Sequence, residues 1–149
     1  MTQIWIDGDA CPKAVKEIIF KAANRTKTTC MLVANQYIPL PPSPYIKRMI
    51  VEQGYDKADD AIVEALTEGD IIITSDLPLA DLCLKKSALV INPRGELYSS
   101  ETIKQKLAMR DFNELIRSSG IHGTGPKQIS NRDINDFANS LDRLLAKPC

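Results

Sequence analysis

Three consecutive isoleucines, Ile71, Ile72 and Ile73, set between Asp70 and Thr74, constrain the fold more than any other feature of the chain. Side chains on a strand point alternately to opposite faces, so an unbroken apolar run needs cover on both. A strand covered on both faces is a central strand of a parallel sheet with helices above and below it.

The flanking sequence supplies those neighbours. Gln3 to Ile6 reads as a first strand, and Pro12 is placed as the first residue of a helix whose apolar positions are Val15, Ile18, Ile19, Ala22 and Ala23. Thr28 to Ala34 reads as a second strand, ending at Asn35 before a stiff proline-rich loop over 38–44. Ile46 to Val51 reads as a third. Asp56 can cap a helix with Ala58, Ala61, Ile62, Ala65 and Leu66 inward, closed by Gly69. Pro78 opens a short helix to about Leu84, and Ala88 to Ile91 forms a strand before the turn Asn92-Pro93-Arg94-Gly95. A long helix over 100–118 follows, with Ile103, Leu107, Phe112, Leu115 and Ile116 inward. After the glycine-rich loop 120–127, Ser130 and Asp133 make a capping-box start to a last helix striped by Ile134, Phe137, Ala138, Leu141, Leu144 and Leu145. The expected fold is α/β: one domain over 1–149, three layers α/β/α around a mainly parallel sheet, with the two C-terminal helices packed on it.

A chain of 149 residues is long enough to bury roughly 70% of the surface it exposes when unfolded. No apolar run approaches the roughly 18 residues of a membrane span, and Asp7 and Asp9 interrupt the place of a signal peptide's apolar region. The expectation is a cytoplasmic protein with no membrane partner. Cys11, Cys30, Cys83 and Cys149 are widely spaced and His122 is the one histidine, which argues against zinc. Cys30 and Cys83 read as buried apolar groups. Cys11, at a helix start where a thiol can be acidified, reads as a packing or capping residue.

Net charge is zero but unevenly spread. Residues 1–82 hold 12 acidic and 8 basic side chains, a balance of −4, and residues 83–149 carry +4. An acidic centre with a basic flank suits a metal-dependent enzyme acting on phosphate esters, and solvated helix faces give the same imbalance.

The acids gather at strand ends. Asp7 and Asp9 follow strand one, Asp59 and Asp60 open the helix after strand three, Asp76 ends the isoleucine strand, and Asp81 lies in the helix behind it. In a parallel sheet these points share the carboxyl edge, where α/β sheets hold ligands. Singly, each acid has a structural use: Asp76 can cap a helix, Asp59 and Asp60 suit a helix's positive end, and Asp81 can be a solvated charge. The Asp7 and Asp9 pair is harder to explain so, because adjacent anions repel unless a cation sits between them. Oxygen ligands select Mg²⁺ or Mn²⁺, with Asp7, Asp60 and Asp76 as direct ligands and Asp9, Asp59 and Asp81 as direct or water-mediated partners. Two such ions about 3.5–4 Å apart hydrolyse phosphodiesters. Arg94, Arg110, Arg117 and Lys127 are the candidates to hold substrate phosphates.

Asp7-Gly-Asp-Ala-Cys-Pro12, Ala58-Asp59-Asp60, Ile71-Ile-Ile-Thr-Ser-Asp76-Leu-Pro-Leu-Ala80 and Ile91-Asn-Pro-Arg94-Gly95 together resemble the YaiI/YqxD (DUF188-type) family of uncharacterised bacterial proteins. Arg110, Arg117, Gly120 and Gly125-Pro126 extend the resemblance over nearly the whole chain. That family is similar to PIN-like domains, metal-dependent ribonucleases. The resemblance implies a PIN-like fold and a nuclease-type site at Asp7, Asp60 and Asp76, with RNA or another phosphate ester as partner. Two alternatives stay open. In one, Asp7 is the nucleophile and Asp9 the general acid of a phosphatase resembling the haloacid dehalogenases, although no lysine motif or cap domain accompanies them. In the other, the chain is a non-catalytic module that binds metal or nucleic acid.

Overall fold

The computed structural model describes residues 2–8, 11–51, 57–118 and 129–146, without the side chains of 57–59 and 110–118. Six strands form one sheet: β1 (Ile4–Asp7), β2 (Cys30–Ala34), β3 (Ile46–Ile50), β4 (Ile71–Ile73), β5 (Leu89–Ile91) and β6 (Leu97–Tyr98). Their order is β3-β2-β1-β4-β5-β6, and every pairing is parallel except β5 with β6. The helices are α1 (Lys13–Thr26), α2 (Lys57–Ala65), α3 (Leu77–Lys85), α4 (Ser100–Ser118) and α5 (Asn131–Ala146).

Strand alternation divides the interior into two cores. Ile4, Ile6, Leu32, Ile71, Ile73 and Ile91 pack with Val15, Ile19 and Ala23 of α1 and Phe137, Leu141 and Leu144 of α5. Trp5, Val33, Ile72 and Val90 face the other way, onto Ile62 of α2, Leu79, Ala80 and Cys83 of α3, and Ile103 of α4. The three isoleucines are thus divided between the faces and none is exposed. Burying each contributes about 1.5–3 kcal/mol. The three-layer α/β/α architecture expected from the sequence is the one observed, with α5 and α4 covering opposite faces.

Several boundaries differ from those read in the sequence. Pro12 is not the first helical residue but the N-cap of α1, in an extended conformation that fixes where the helix begins. The strand β6 was not anticipated. Two residues, Leu97 and Tyr98, pair antiparallel with Ile91 and Val90, too short a run to show a period. The capping box is observed: Ser130 N–H donates to Asp133 Oδ2 at 3.0 Å, and Asp133 N–H donates to Ser130 Oγ at 3.1 Å. The helix cap expected at Asp56 and the loop 120–127 lie outside the described residues.

The amino edge of the sheet is tied by a carboxylate that the sequence did not single out. Asp70, 1% exposed, accepts from Gln3 N–H and, at 3.0 Å, from the Trp5 indole N–H; it also accepts from the Thr67 N–H and hydroxyl. Four donors satisfy a buried charge that would otherwise be costly there. They also fix where β4 starts against β1.

Candidate active site

The chain reverses its direction of travel across the sheet between β1 and β4. α1 leaves β1 on one face, while α2 and α3, which lead into and out of β4, lie on the other. The crevice outside the carboxyl ends of two such strands is where open α/β sheets bind ligands. Asp7 ends β1 at that point and is 8% exposed.

Thr74, the residue after β4, connects the two strand ends. Its hydroxyl donates to Asp7 Oδ2 at 3.3 Å and accepts from the Asp76 N–H at 3.0 Å. Alternation puts Asp7 on the side of Trp5 and Thr74 on the side of Ile72, both facing α2 and α3. Asp76 is half-buried, and its Oδ1 accepts from Leu79 N–H at 3.0 Å as the N-cap of α3. Its capping use, weighed in the sequence, is therefore real, and Oδ2 is not needed for it. Asp7, Thr74 and Asp76 offer oxygen donors only, the chemistry a hard divalent cation accepts.

The other expected site residues are distributed more widely. Asp60 is exposed on α2, and Asp81 is paired with Lys85 one helical turn on, at 3.3 Å. Asp9 and Lys127 lie outside the described residues, as do the side chains of Asp59, Arg110 and Arg117. Among the described residues no three acids, histidines or cysteines come together as a ligand group. Arg94 forms an ion pair with Asp133 of α5 at 2.6 Å, and its N–H donates to Asn92 Oδ1 at 2.9 Å. The Asp133 carboxyl is held below its ordinary value, first by the Ser130 N–H, with desolvation opposing and the Ser130 hydroxyl, Arg94 and Arg132 adding to the lowering.

Cys11 is buried and provides no side-chain cap to α1. Burial pushes its thiol up to about 12, with Lys16 acting against the shift and Asp7 with it. The acidified thiol that a helix start can produce is absent, and Cys11 packs in the core as Cys30 and Cys83 do.

The family model described as an uncharacterised YaiI/YqxD family (DUF188) matches residues 5–147. The chain belongs to that family. UPF0178 proteins of Shewanella amazonensis and Marinomonas sp. are each 52% identical to it over 145 residues, covering 97% of both chains. One from Colwellia psychrerythraea is 50% identical, covering 97% of this chain and 96% of its own. No solved structure matches. No helix among the described residues is long and apolar enough to cross a membrane.

In this YaiI/YqxD protein the site residue that sequence reasoning missed is Thr74. The signal was available: a hydroxyl directly follows a fully buried strand and stands two residues before an acid. What the sequence did not contain was the register, Ile6 beside Ile73, that carries Thr74 to Asp7.

Proposed function

We propose that this protein is a Mg²⁺- or Mn²⁺-dependent nuclease that hydrolyses phosphodiester bonds, RNA first among its substrates, at the carboxyl edge of the sheet. The observation that carries the reading is the buried Asp7 at the β1–β4 reversal, joined through Thr74 to the turn bearing Asp76. A buried carboxylate at such a point, held by a hydroxyl that also binds the backbone of the next acid-bearing turn, is a site whose negative charge a divalent cation would neutralise.

Asp7 and Asp76 would hold the metal, with Asp60 as the third ligand and Asp9, Asp59 and Asp81 as direct or water-mediated partners. When bound, such ions supply an activated water and offset the charge developing at phosphorus. Thr74 orients Asp7, and the cap to Leu79 orients Asp76. Arg94, Arg110, Arg117 and Lys127 would draw in the polyanion.

Calorimetric titration with Mn²⁺ tests this cleanly, because the two informative substitutions change charge and little else. Asp7→Asn keeps an oxygen to accept from Thr74, and Asp76→Asn keeps a cap of equal quality. Each is expected to abolish Mn²⁺ binding and cleavage of single-stranded RNA while leaving the melting temperature within a few degrees of wild type. A wild-type protein that binds no divalent metal at neutral pH overturns the proposal. A protein that binds Mn²⁺ but leaves RNA and DNA intact is a metal-binding module instead.

A further inference from the structure

β2 and β3 are parallel neighbours, yet no helix connects them. Instead the proline-rich segment leaves β2 at the carboxyl edge and runs beside α1, with Ile38 and Leu40 packed onto the α1 and α5 core. Between this segment and α1 lies a cavity of about 650 Å³, lined by Phe20, Ile38, Pro39 and Pro41 on its apolar side. That volume falls within the roughly 300–1,000 Å³ usual for ligand sites.

The groove is held open by its own contacts. The guanidinium of Arg48 donates to Ile38 O at 2.9 Å and lies 4.1 Å from the ring centroid of Tyr37. At the far end the Ser43 hydroxyl donates to Asn24 Oδ1, tying the segment to the last turns of α1. Three prolines, at positions 39, 41 and 42, restrict the backbone between these ties. A stiff wall loses little conformational entropy when a ligand enters.

The polar wall is cationic. Lys13, Lys16 and Lys21 border the cavity, against the single acid Glu17. They span about 12 Å along α1 at 1.5 Å per residue, beginning at its N-terminal turns on the same carboxyl edge as Asp7. A row of ammonium groups beside the exposed apolar rings of Pro39 and Pro41 matches a polymer that alternates phosphates with planar bases. An acidic peptide would meet the lysines but has no planar groups for the apolar side.

We infer that the groove between α1 and the 38–41 segment binds single-stranded nucleic acid, with backbone phosphates on Lys13, Lys16 and Lys21 and a base against Pro39 and Pro41, over the buried edge of Phe20. This extends the nuclease reading by naming where substrate is anchored before it reaches Asp7, and it requires no metal.

The test is fluorescence anisotropy of the full chain with a labelled oligouridylate of about twelve nucleotides, measured in EDTA over a range of salt. Binding without divalent metal is expected, weakening with salt by about 2 logarithmic units per tenfold increase for three phosphate contacts. Combined replacement of Lys13, Lys16 and Lys21 by glutamine, all side chains at the surface of a helix, is expected to weaken binding at least tenfold and remove that salt slope. An oligomer with abasic sugars is expected to bind about fivefold or more weakly, because bases contribute through stacking. Trp5 fluorescence and the melting temperature establish that the triple variant is folded. No binding in EDTA, a triple variant that binds like wild type, or a polyglutamate that competes as well as the oligonucleotide overturns the inference. Failure of the nuclease proposal, with no cleavage under Mn²⁺, leaves the EDTA binding intact. Failure of the groove leaves Mn²⁺-dependent cleavage insensitive to the lysines.

Discussion

Thr74 donates its hydroxyl to Asp7 across the β1–β4 boundary, 3.3 Å from Oγ1 to Oδ2, and both side chains are buried. Valine at position 74 keeps the shape, removes the donor to Asp7 and leaves the Asp76 N–H without that acceptor. We expect Thr74→Val to lower Mn²⁺ affinity about 10- to 100-fold, the usual effect of losing a group that orients a ligand. Folding stability should fall by about 1–2 kcal/mol. Thr74→Ser, which restores the hydroxyl, should recover the affinity. Calorimetry on both variants decides it, and equal Mn²⁺ affinity in Val and Ser variants removes Thr74 from the site.

Asp70 stands at the opposite edge of the sheet, and its carboxylate has a structural task. Replacing it by alanine strands the buried Trp5 indole N–H and also removes the acceptor of the Thr67 hydroxyl and of two backbone N–H groups, which lie nearer solvent. The expected loss is about 1–3 kcal/mol, set by the one buried donor left unpaired, because water can reach the others. Urea unfolding followed by Trp5 emission reads both the stability and the local change. Metal binding at the other edge should stay as in wild type, so a simultaneous loss of Mn²⁺ affinity in a folded Asp70→Ala protein would contradict this division of labour.

The strand ends and the charges at them were legible because period and punctuation are local properties. Ile71 to Ile73 required a strand covered on both faces, and Pro78 with Asp76 marked a helix start. Whether Asp76 caps or coordinates was not legible, since both uses need an acid at the same place. Asp60 illustrates the same limit: a helix's first turns can be predicted, but the direction of its exposed side chain depends on how α2 packs. Nothing in the sequence sets the lysines of α1 apart from an ordinary solvated helix face. They became a groove wall only because the 38–41 segment, whose course is not encoded in a period, lies opposite them.

The buried thiols give a prediction in pH. Cys11 and Cys30 are each raised from 9.0 to about 12, chiefly by burial, with Cys11 adding to the shift at Cys30. A raised thiol favours the folded, protonated form, so this contribution is fully present below about pH 9. It falls away as the pH climbs from about 9 to about 12, where the unfolded chain has already lost its protons. Unfolding midpoints should therefore decline over that window, and the decline should be smaller in Cys11→Ala, Cys30→Ala protein measured alongside. At pH 8 both native thiols stay protonated and buried, so neither should react with iodoacetamide until the protein unfolds. Rapid alkylation of Cys11 in the native protein would show that its thiol is not shielded.

Gly95 and Gly69 separate two reasons for needing glycine. Both have positive φ, +91° and +86°, where any side chain is strained. A Cβ on Gly69 meets nothing within 4 Å, whereas one on Gly95 would lie 2.6 Å from the carbonyl carbon of Asp136 and 2.7 Å from Phe137 N. The hairpin turn between β5 and β6 therefore rests directly on the backbone of α5, held by the Ser140 hydroxyl donating to Gly95 O at 2.8 Å and by the Arg94–Asp133 pair. Helix backbone cannot yield as a flexible side chain can. Gly69→Ala should cost about 1–2 kcal/mol, the price of the conformation alone. Gly95→Ala adds overpacking and should cost about 2–5 kcal/mol. Urea midpoints of the two variants make the comparison. Equal losses would mean that α5 moves aside freely, and that the Asn92 to Gly95 turn does not fix its position on the sheet.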